Sequence, residues 1–117
     1  MTYYTQSGYN EMIFIESKIF ERLREKYFDD TSYKEFQNFL LEQPTVGDTI
    51  QGTGGLKKVR WAAQGKGKRG GVRIIYFYLA DKSHIHFLTV YAKNEMSDLT
   101  ANEKKILKII AEEIKNA

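Results

Sequence analysis

The glycine-rich segment at residues 65–71 is the part of the chain whose residue types most clearly suggest chemistry. It interleaves glycines with three basic residues, Lys66, Lys68 and Arg69. Glycines leave the backbone uncrowded, lysine supplies a compact positive charge, and arginine presents a planar fork that matches a phosphate. The segment is therefore a candidate phosphate-binding loop, and the alternative is a solvated hairpin loop of the same composition.

Arg73 follows this loop at the start of a predicted strand. Its neighbours on the same strand face are Ile75, Phe77 and Leu79. An arginine on a buried face is rare unless it pairs with an acid or binds an anion. No acid lies near Arg73 in the sequence, so the pattern favours anion binding.

Tyr91 and Lys93 lie two residues apart at the end of a later predicted strand, so their side chains share one face. If the two strands form a hairpin, the end of the second lies beside the start of the first. This arrangement predicts that Tyr91 and Lys93 adjoin Arg73 and the basic loop. The ordinary alternatives are a core tyrosine and a solvated lysine.

A phenol, ammonium groups and guanidinium groups that converge in this way can cleave RNA without a metal ion. The 2′-oxygen attacks the adjacent phosphorus, which requires a base, a fixed positive charge and an acid for the leaving oxygen. Arginines suit the fixed charge, and a lysine or the tyrosine suits the base if neighbouring cations lower its pKa. The candidate catalytic residues are Lys66, Lys68, Arg73, Tyr91 and Lys93, and the candidate RNA-binding residues are Lys57, Lys58, Arg60 and Arg69.

Other chemistry has weaker support in the sequence. His84 and His86 share a strand face but lie at the far end of the predicted hairpin from the basic loop, which is typical of surface histidines. The chain has no cysteine and no evident acidic cluster. We therefore expect neither a metal site nor a cofactor.

The positive charge of the chain is concentrated in one third of its length. Residues 49–80 carry seven bases and no acid, whereas the whole chain has a net charge of only +3. Such a distribution indicates an anionic partner, most commonly a nucleic acid. The length of 117 residues suits one domain. The start of the chain does not resemble a signal peptide, and no apolar run is long enough for a membrane span, so we expect a soluble cytoplasmic protein.

Hydrophobic periodicity predicts an α+β domain. We expect strands at residues 12–15, 56–63, 72–80 and 84–92, and helices at residues 17–28, from residue 32 to before Pro44, and from residue 100 onward. Ser17 is the predicted cap of the first helix, and capping boxes are predicted for the second (Ser32 and Glu35) and the last (Thr100 and Glu103). The expected architecture is two N-terminal helices packed on a small antiparallel sheet, followed by a C-terminal helix. The position of the first strand in the sheet stays open.

Three segments in order resemble one known family. They are residues 52–60 (GTGGLKKVR), the basic loop with Arg73, and residues 91–99 (YAKNEMSDL). Together they are similar to the HigB branch of the RelE toxin superfamily. The resemblance runs from about Met12 to the last helix, so we expect an N-terminal tail at residues 1–11 and a toxin domain at residues 12–117.

The resemblance implies a RelE-like fold and the toxin of a type II toxin–antitoxin system. Such a toxin is a metal-independent endoribonuclease that cleaves mRNA, usually on the ribosome, and is neutralised by a cognate antitoxin, here a HigA-like DNA-binding protein. By position, Arg73 matches the phosphate-binding arginine of the family, and Lys93 lies near its last basic residue. Lys66, Lys68 and Arg69 match the basic loop. Tyr91 is displaced from the family's tyrosine, so the base is not assigned.

Two alternatives remain open at the level of the sequence. A non-catalytic RNA-binding or ribosome-binding module would use the same basic residues, because phosphate charge dominates affinity whether or not a reaction follows. A structural partner protein would use the basic face to bind an acidic protein instead.

Overall fold

A computed structural model describes residues 2–6, 12–62, 71–96 and 98–117 of the chain. Its strands are β1 (Thr2–Gln6), β2 (Met12–Glu16), β3 (Asp48–Thr49), β4 (Lys57–Trp61), β5 (Val72–Leu79) and β6 (His84–Ala92). Its α-helices are α1 (Lys18–Tyr27), α2 (Asp30–Glu42) and α3 (Ala101–Lys115). Two N-terminal helices, a sheet and a C-terminal helix confirm the predicted α+β class.

The six strands form one sheet in the order β1-β2-β6-β5-β4-β3. All neighbouring strands are antiparallel except β2 and β6, which are parallel. The sheet is therefore mixed, where a purely antiparallel one was expected. The reason is the connection: β2 leads into α1 rather than into a hairpin, and only a tight hairpin requires its strands to be antiparallel. Residues 1–11, predicted as a tail, include β1, which pairs with the outer side of β2.

The helix caps explain where the helices begin. The Ser17 hydroxyl accepts the backbone N–H of Phe20 at 3.0 Å, and Thr100 and Glu103 form the capping box of α3, both as predicted. The cap of α2 differs from the prediction. The Asp29 carboxylate accepts the backbone N–H of Ser32 at 2.6 Å. Asp29 is itself a strong cap residue, so α2 begins at Asp30 and Ser32 lies within its first turn.

Each face of the sheet carries its own apolar core. Helices α1 and α2 cover one face, where Phe20, Phe36 and Phe87 are fully buried and their rings contact one another. Helix α3 covers the other face. That second core contains Leu56, Ile75, Phe77, Leu88, Leu107, Ala111 and Ile114. Because strand side chains alternate, a residue's position in β4 or β5 decides which core it faces. In β6 the alternation shifts at the irregular pairing opposite Ile75 and Tyr76.

Glu16 is a charged residue inside the first core. It is fully buried at the end of β2, and the Tyr33 hydroxyl of α2 donates a hydrogen bond to its carboxylate. The Arg24 Nε of α1 lies 3.5 Å from the same carboxylate oxygen, and the Arg24 guanidinium lies 4.7 Å from the centre of the Tyr33 ring. One carboxylate thus joins β2, α1 and α2.

Candidate nucleic-acid interface

The register of three strands places two arginines and a tyrosine in one row. Arg60 of β4 is paired with Arg73 of β5, and Arg73 is paired with Tyr91 of β6. Directly opposite residues have Cβ atoms about 4.5–5.5 Å apart. The predicted proximity of Tyr91 to Arg73 is confirmed. The row lies on the sheet face that α3 covers, since Ile75 and Phe77 belong to the core of that face.

A cavity of about 230 Å³ opens beside this row. Four bases line it: Lys58, Arg60, Arg73 and Lys93. Asp48 is the single acid among the described residues that line it, and the remaining lining residues are Val46, Gly47 and Val59. The strong excess of positive charge in so small a space favours an anionic ligand.

Arg73 is the most buried of these bases, with 5% of its surface exposed. Its Nη1 donates a hydrogen bond of 3.4 Å to the carbonyl of Val72. Among the described residues, no carboxylate forms an ion pair with it. Burial lowers the pKa of the Arg73 guanidinium, and the charge of Arg60 lowers it further. A buried cation without an acidic partner is unfavourable unless an anion binds to it.

Tyr91 is also 5% exposed, and its hydroxyl has no hydrogen-bond partner among the described residues. Burial raises the pKa of the Tyr91 phenol, and the nearby Asp98 raises it further. The phenol therefore stays protonated at neutral pH. Its hydroxyl oxygen is buried and Tyr91 is not among the described residues that line the cavity, so it is not placed to act as a base there.

Asp98 lies next to Lys58 and is not among the described residues that line the cavity. It accepts the backbone N–H of Leu99 at 2.8 Å, and this bond lowers the pKa of its carboxyl group. The Lys58 Nζ lies 3.5 Å from the same carboxylate.

Lys93 is exposed just beyond β6, and its backbone N–H donates to the carbonyl of Gly71 at 3.4 Å.

The structure separates Lys57 from the other predicted site residues. Lys57 is paired with Tyr76, whose side chain belongs to the core beneath α1 and α2, so it lies on the opposite sheet face from Arg73. Its Nζ donates to the carbonyl of Gly47 at 3.3 Å and to the Thr49 hydroxyl at 3.2 Å. Lys66, Lys68 and Arg69 fall in residues 63–70, outside the described residues.

Asp48 is the site residue that the sequence prediction missed. The strand that carries it has only two residues, so no hydrophobic alternation marks it. Its position depends on pairing with Lys58 of β4. The available signal was the turn at residues 51–55, which lies between two segments able to form a hairpin.

His84 and His86 lie at the other end of the sheet, as predicted, because they pair with Leu79 and Phe77 at the end of β5. His86 is not a surface group: 8% of it is exposed, and neither ring nitrogen has a hydrogen-bond partner among the described residues. It lines a cavity of about 320 Å³ with His84. Burial lowers the pKa of His86 to about 4, and the charges of His84 and Lys82 contribute.

Acid is therefore expected to destabilise the protein through His86. An unfolded histidine binds its proton near pH 6.5, whereas folded His86 stays neutral to about pH 4. Its contribution to stability is complete above pH 6.5 and is lost as pH falls to 4, by about 2–3 kcal/mol. Urea unfolding between pH 7 and 4 measures this loss. A His86→Phe chain removes the titration, so an unchanged pH slope in that chain would contradict the assignment.

None of the described helices has the length and hydropathy that a membrane span requires. No three histidine, aspartate or glutamate side chains in the described ranges are grouped closely enough to hold a metal ion.

Comparisons with known proteins identify one matching family and a solved structure of similar fold. A family model described as the RelE toxin of the RelE/RelB toxin–antitoxin system matches residues 16–117. A solved structure of the E. coli toxin RelE, an arginine-to-alanine double mutant in the free state, superimposes with a TM-score of 0.51 at 14% identity. That match covers 72% of this chain and 85% of the RelE chain. At this identity the structural likeness supports the shared fold alone.

Proposed function

Because the chain belongs to the RelE family of toxins from toxin–antitoxin systems, we propose that it is an endoribonuclease that cleaves mRNA and thereby inhibits translation. One observation carries the proposal most directly. Arg73 is buried without a carboxylate partner among the described residues, in a cavity that three further bases line. A phosphodiester is the anion that such a cavity suits, because its oxygens can accept hydrogen bonds from several cations at once.

The proposed reaction is the attack of a 2′-oxygen on the adjacent phosphorus. Arg73 and Arg60 stabilise the charge that develops on the phosphorane oxygens, since a preorganised guanidinium needs no rearrangement during the reaction. Lys93, which lines the cavity, is the described group able to donate a proton to the 5′-oxygen as it leaves, whereas the buried Tyr91 hydroxyl does not line the cavity. Lys66 and Lys68 remain candidates for the same role, and Lys58 and Arg69 are proposed to bind the RNA backbone.

The family implies a partner antitoxin, and we propose a HigA-like, DNA-binding antitoxin that keeps the chain inactive in the cytoplasm. We further propose that the mRNA is cut on the ribosome and that no metal ion takes part. The RelE family match supports the antitoxin, whereas the HigB-like character rests on residues 52–60 and 91–99.

Induced expression in a bacterium, followed by mapping of the 5′ ends of cellular messages, tests the proposal. We expect new 5′-hydroxyl ends at codon-phased positions, and purified chain should give the same ends when it is added to messages bound by ribosomes. Co-expression of the antitoxin should abolish them. A folded chain that arrests growth without producing new ends would instead support a non-catalytic ribosome-binding module.

Arg60 is expected to contribute to RNA affinity. An Arg60→Ala chain should bind a 2′-O-methyl RNA about tenfold more weakly, because one charge-assisted contact to phosphate is lost. The slope of log Kd against log salt should fall by about 1. Fluorescence anisotropy at several salt concentrations measures both quantities. Lys34→Ala, which removes an exposed base of α2 on the opposite face, is the matched control, and an equal loss in both chains would contradict a localised interface.

A further inference from the structure

The proposed reaction needs a proton acceptor, and the arginine and lysine side chains that line the cavity do not supply one. Guanidinium groups and protonated lysines offer hydrogen-bond donors and no acceptor. The Tyr91 phenol stays protonated because burial raises its pKa. Among the described residues that line the cavity, Asp48 alone carries a side chain whose ordinary form at neutral pH accepts a proton.

The fold holds Asp48 at the edge of the cavity through contacts on both sides of it. The buried Tyr76 hydroxyl accepts the backbone N–H of Gly47 at 3.0 Å and donates to the carbonyl of Pro44 at 2.9 Å. Lys57 donates to the carbonyl of Gly47 and to the Thr49 hydroxyl. A Cβ atom on Gly47 would lie 2.9 Å from Cε1 of Tyr76, so only glycine allows this close approach.

The register directs Asp48 towards the reacting groups. Asp48 is paired with Lys58, and Lys58 lies two residues before Arg60 on β4, so the three residues share one sheet face. Adjacent same-face rows of a sheet lie about 7 Å apart. A phosphodiester bound by Arg60 and Arg73 would therefore place its ribose within reach of the Asp48 carboxylate.

We propose that Asp48 is the general base of the reaction, an inference that rests on the proposed ribonuclease function. The carboxylate takes the proton of the 2′-hydroxyl, and the 2′-oxygen forms a bond to phosphorus. The bond from phosphorus to the 5′-oxygen breaks, and that oxygen takes a proton from Lys93. The products are a 2′,3′-cyclic phosphate and a 5′-hydroxyl.

Asp98 provides a matched control. Its carboxylate lies near the same lysine, Lys58, but it does not line the cavity and is already bonded to the backbone N–H of Leu99. Asp98→Asn and Asp48→Asn each remove one negative charge beside Lys58. A purely electrostatic effect on Lys58 would therefore affect both chains similarly.

The test is single-turnover cleavage of a message on programmed ribosomes across pH. Asp48→Asn should slow cleavage by about 10²–10⁴-fold and abolish the acidic limb of the pH–rate profile, whereas Asp98→Asn, whatever its effect on the rate, should keep the limb. Asp48→Glu should restore part of the rate together with the limb. With a sulfur leaving group at the 5′ position, which needs no proton, Lys93→Ala should recover while Asp48→Asn stays slow.

Two results would overturn the assignment of Asp48. One is equal cleavage by Asp48→Asn and wild type, and the other is slow cleavage by Asp48→Asn with an intact acidic limb, which would make Asp48 a structural residue. Thermal melts of all chains identify misfolding, and if Asp48→Asn is unfolded, the limb of Asp48→Ser, which also lacks the carboxylate, decides in its place. Absence of cleavage by the wild-type chain itself would instead refute the ribonuclease function.

Discussion

Replacement of Arg73 by alanine is expected to slow mRNA cleavage by about 10²–10³-fold, the usual effect of removing one preorganised group that stabilises charge in a transition state. Arg73 lies in the centre of the row formed with Arg60 and Tyr91, and it is the most buried base of the cavity. Hydrogen bonds from Arg73 to the proposed phosphate ligand would form where little water competes, which strengthens them. Single-turnover cleavage on programmed ribosomes, at saturating toxin, measures the rate constant.

The melting temperature of the Arg73→Ala chain distinguishes a loss of catalysis from a folding defect. Because Arg73 has no acidic partner among the described residues, its removal should leave the melting temperature unchanged or raise it. Arg73→Lys should recover only part of the rate, since an ammonium cannot form the two parallel bonds of a guanidinium. Cleavage by Arg73→Ala at the wild-type rate would place the chemistry elsewhere.

Replacement of Glu16 by alanine is expected to lower the free energy of unfolding by about 3 kcal/mol. Glu16 is fully buried and is bonded to Tyr33 and paired with Arg24, so its loss removes the partner of a buried hydroxyl and of a largely buried cation. Removing one member of a buried ion pair costs about 3–5 kcal/mol. The Arg24 side chain keeps 21% exposure and can regain some hydration, which favours the lower end. Urea denaturation followed by circular dichroism measures the change.

Two control chains separate charge from packing. Glu16→Gln keeps an acceptor for Tyr33 and should be less damaging than alanine. Glu25→Ala, at an exposed position of α1, should change stability by no more than about 0.5 kcal/mol. A loss below about 1 kcal/mol for Glu16→Ala would show that the buried carboxylate is not an important link between β2 and the helices.

The sequence predicted those features that depend on local pattern. The β5–β6 hairpin follows from two apolar segments and a short turn, and it brings the end of β6 beside the start of β5. The register shift between Ile75 and Tyr76 then pairs Tyr91, rather than Val90, with Arg73. The capping box of α3 is visible as Thr100 and Glu103 three residues apart. Local signals of this kind are sufficient because the interactions that they describe span only a few residues or one turn.

Features that depend on distant partners were not predictable in the same way. The start of α2 was predicted too late, because Asp29, Ser32 and Glu35 all favour the N-terminus of a helix. Burial of the Tyr33 side chain of α2 favours the earlier start. The parallel pairing of β2 with β6 and the role of Asp48 both depend on which strands become neighbours. Lys57 and Lys58 were grouped because they are adjacent, although adjacent strand residues face opposite sides of the sheet.

The parallel pairing of β2 with β6 has a consequence for the order in which the nascent protein can fold. Contacts such as that of the Ser17 hydroxyl with the Leu88 carbonyl span 71 residues, and closing so long a loop carries a large entropic cost. Until β6 has been synthesised, α1 and α2 lack Phe87, the ring on which Phe20 and Phe36 pack. The same strand delivers Tyr91, with Lys93 just beyond it. Completion of the sheet and assembly of the proposed active site therefore both require β6, and a nascent chain that ends before β6 has neither.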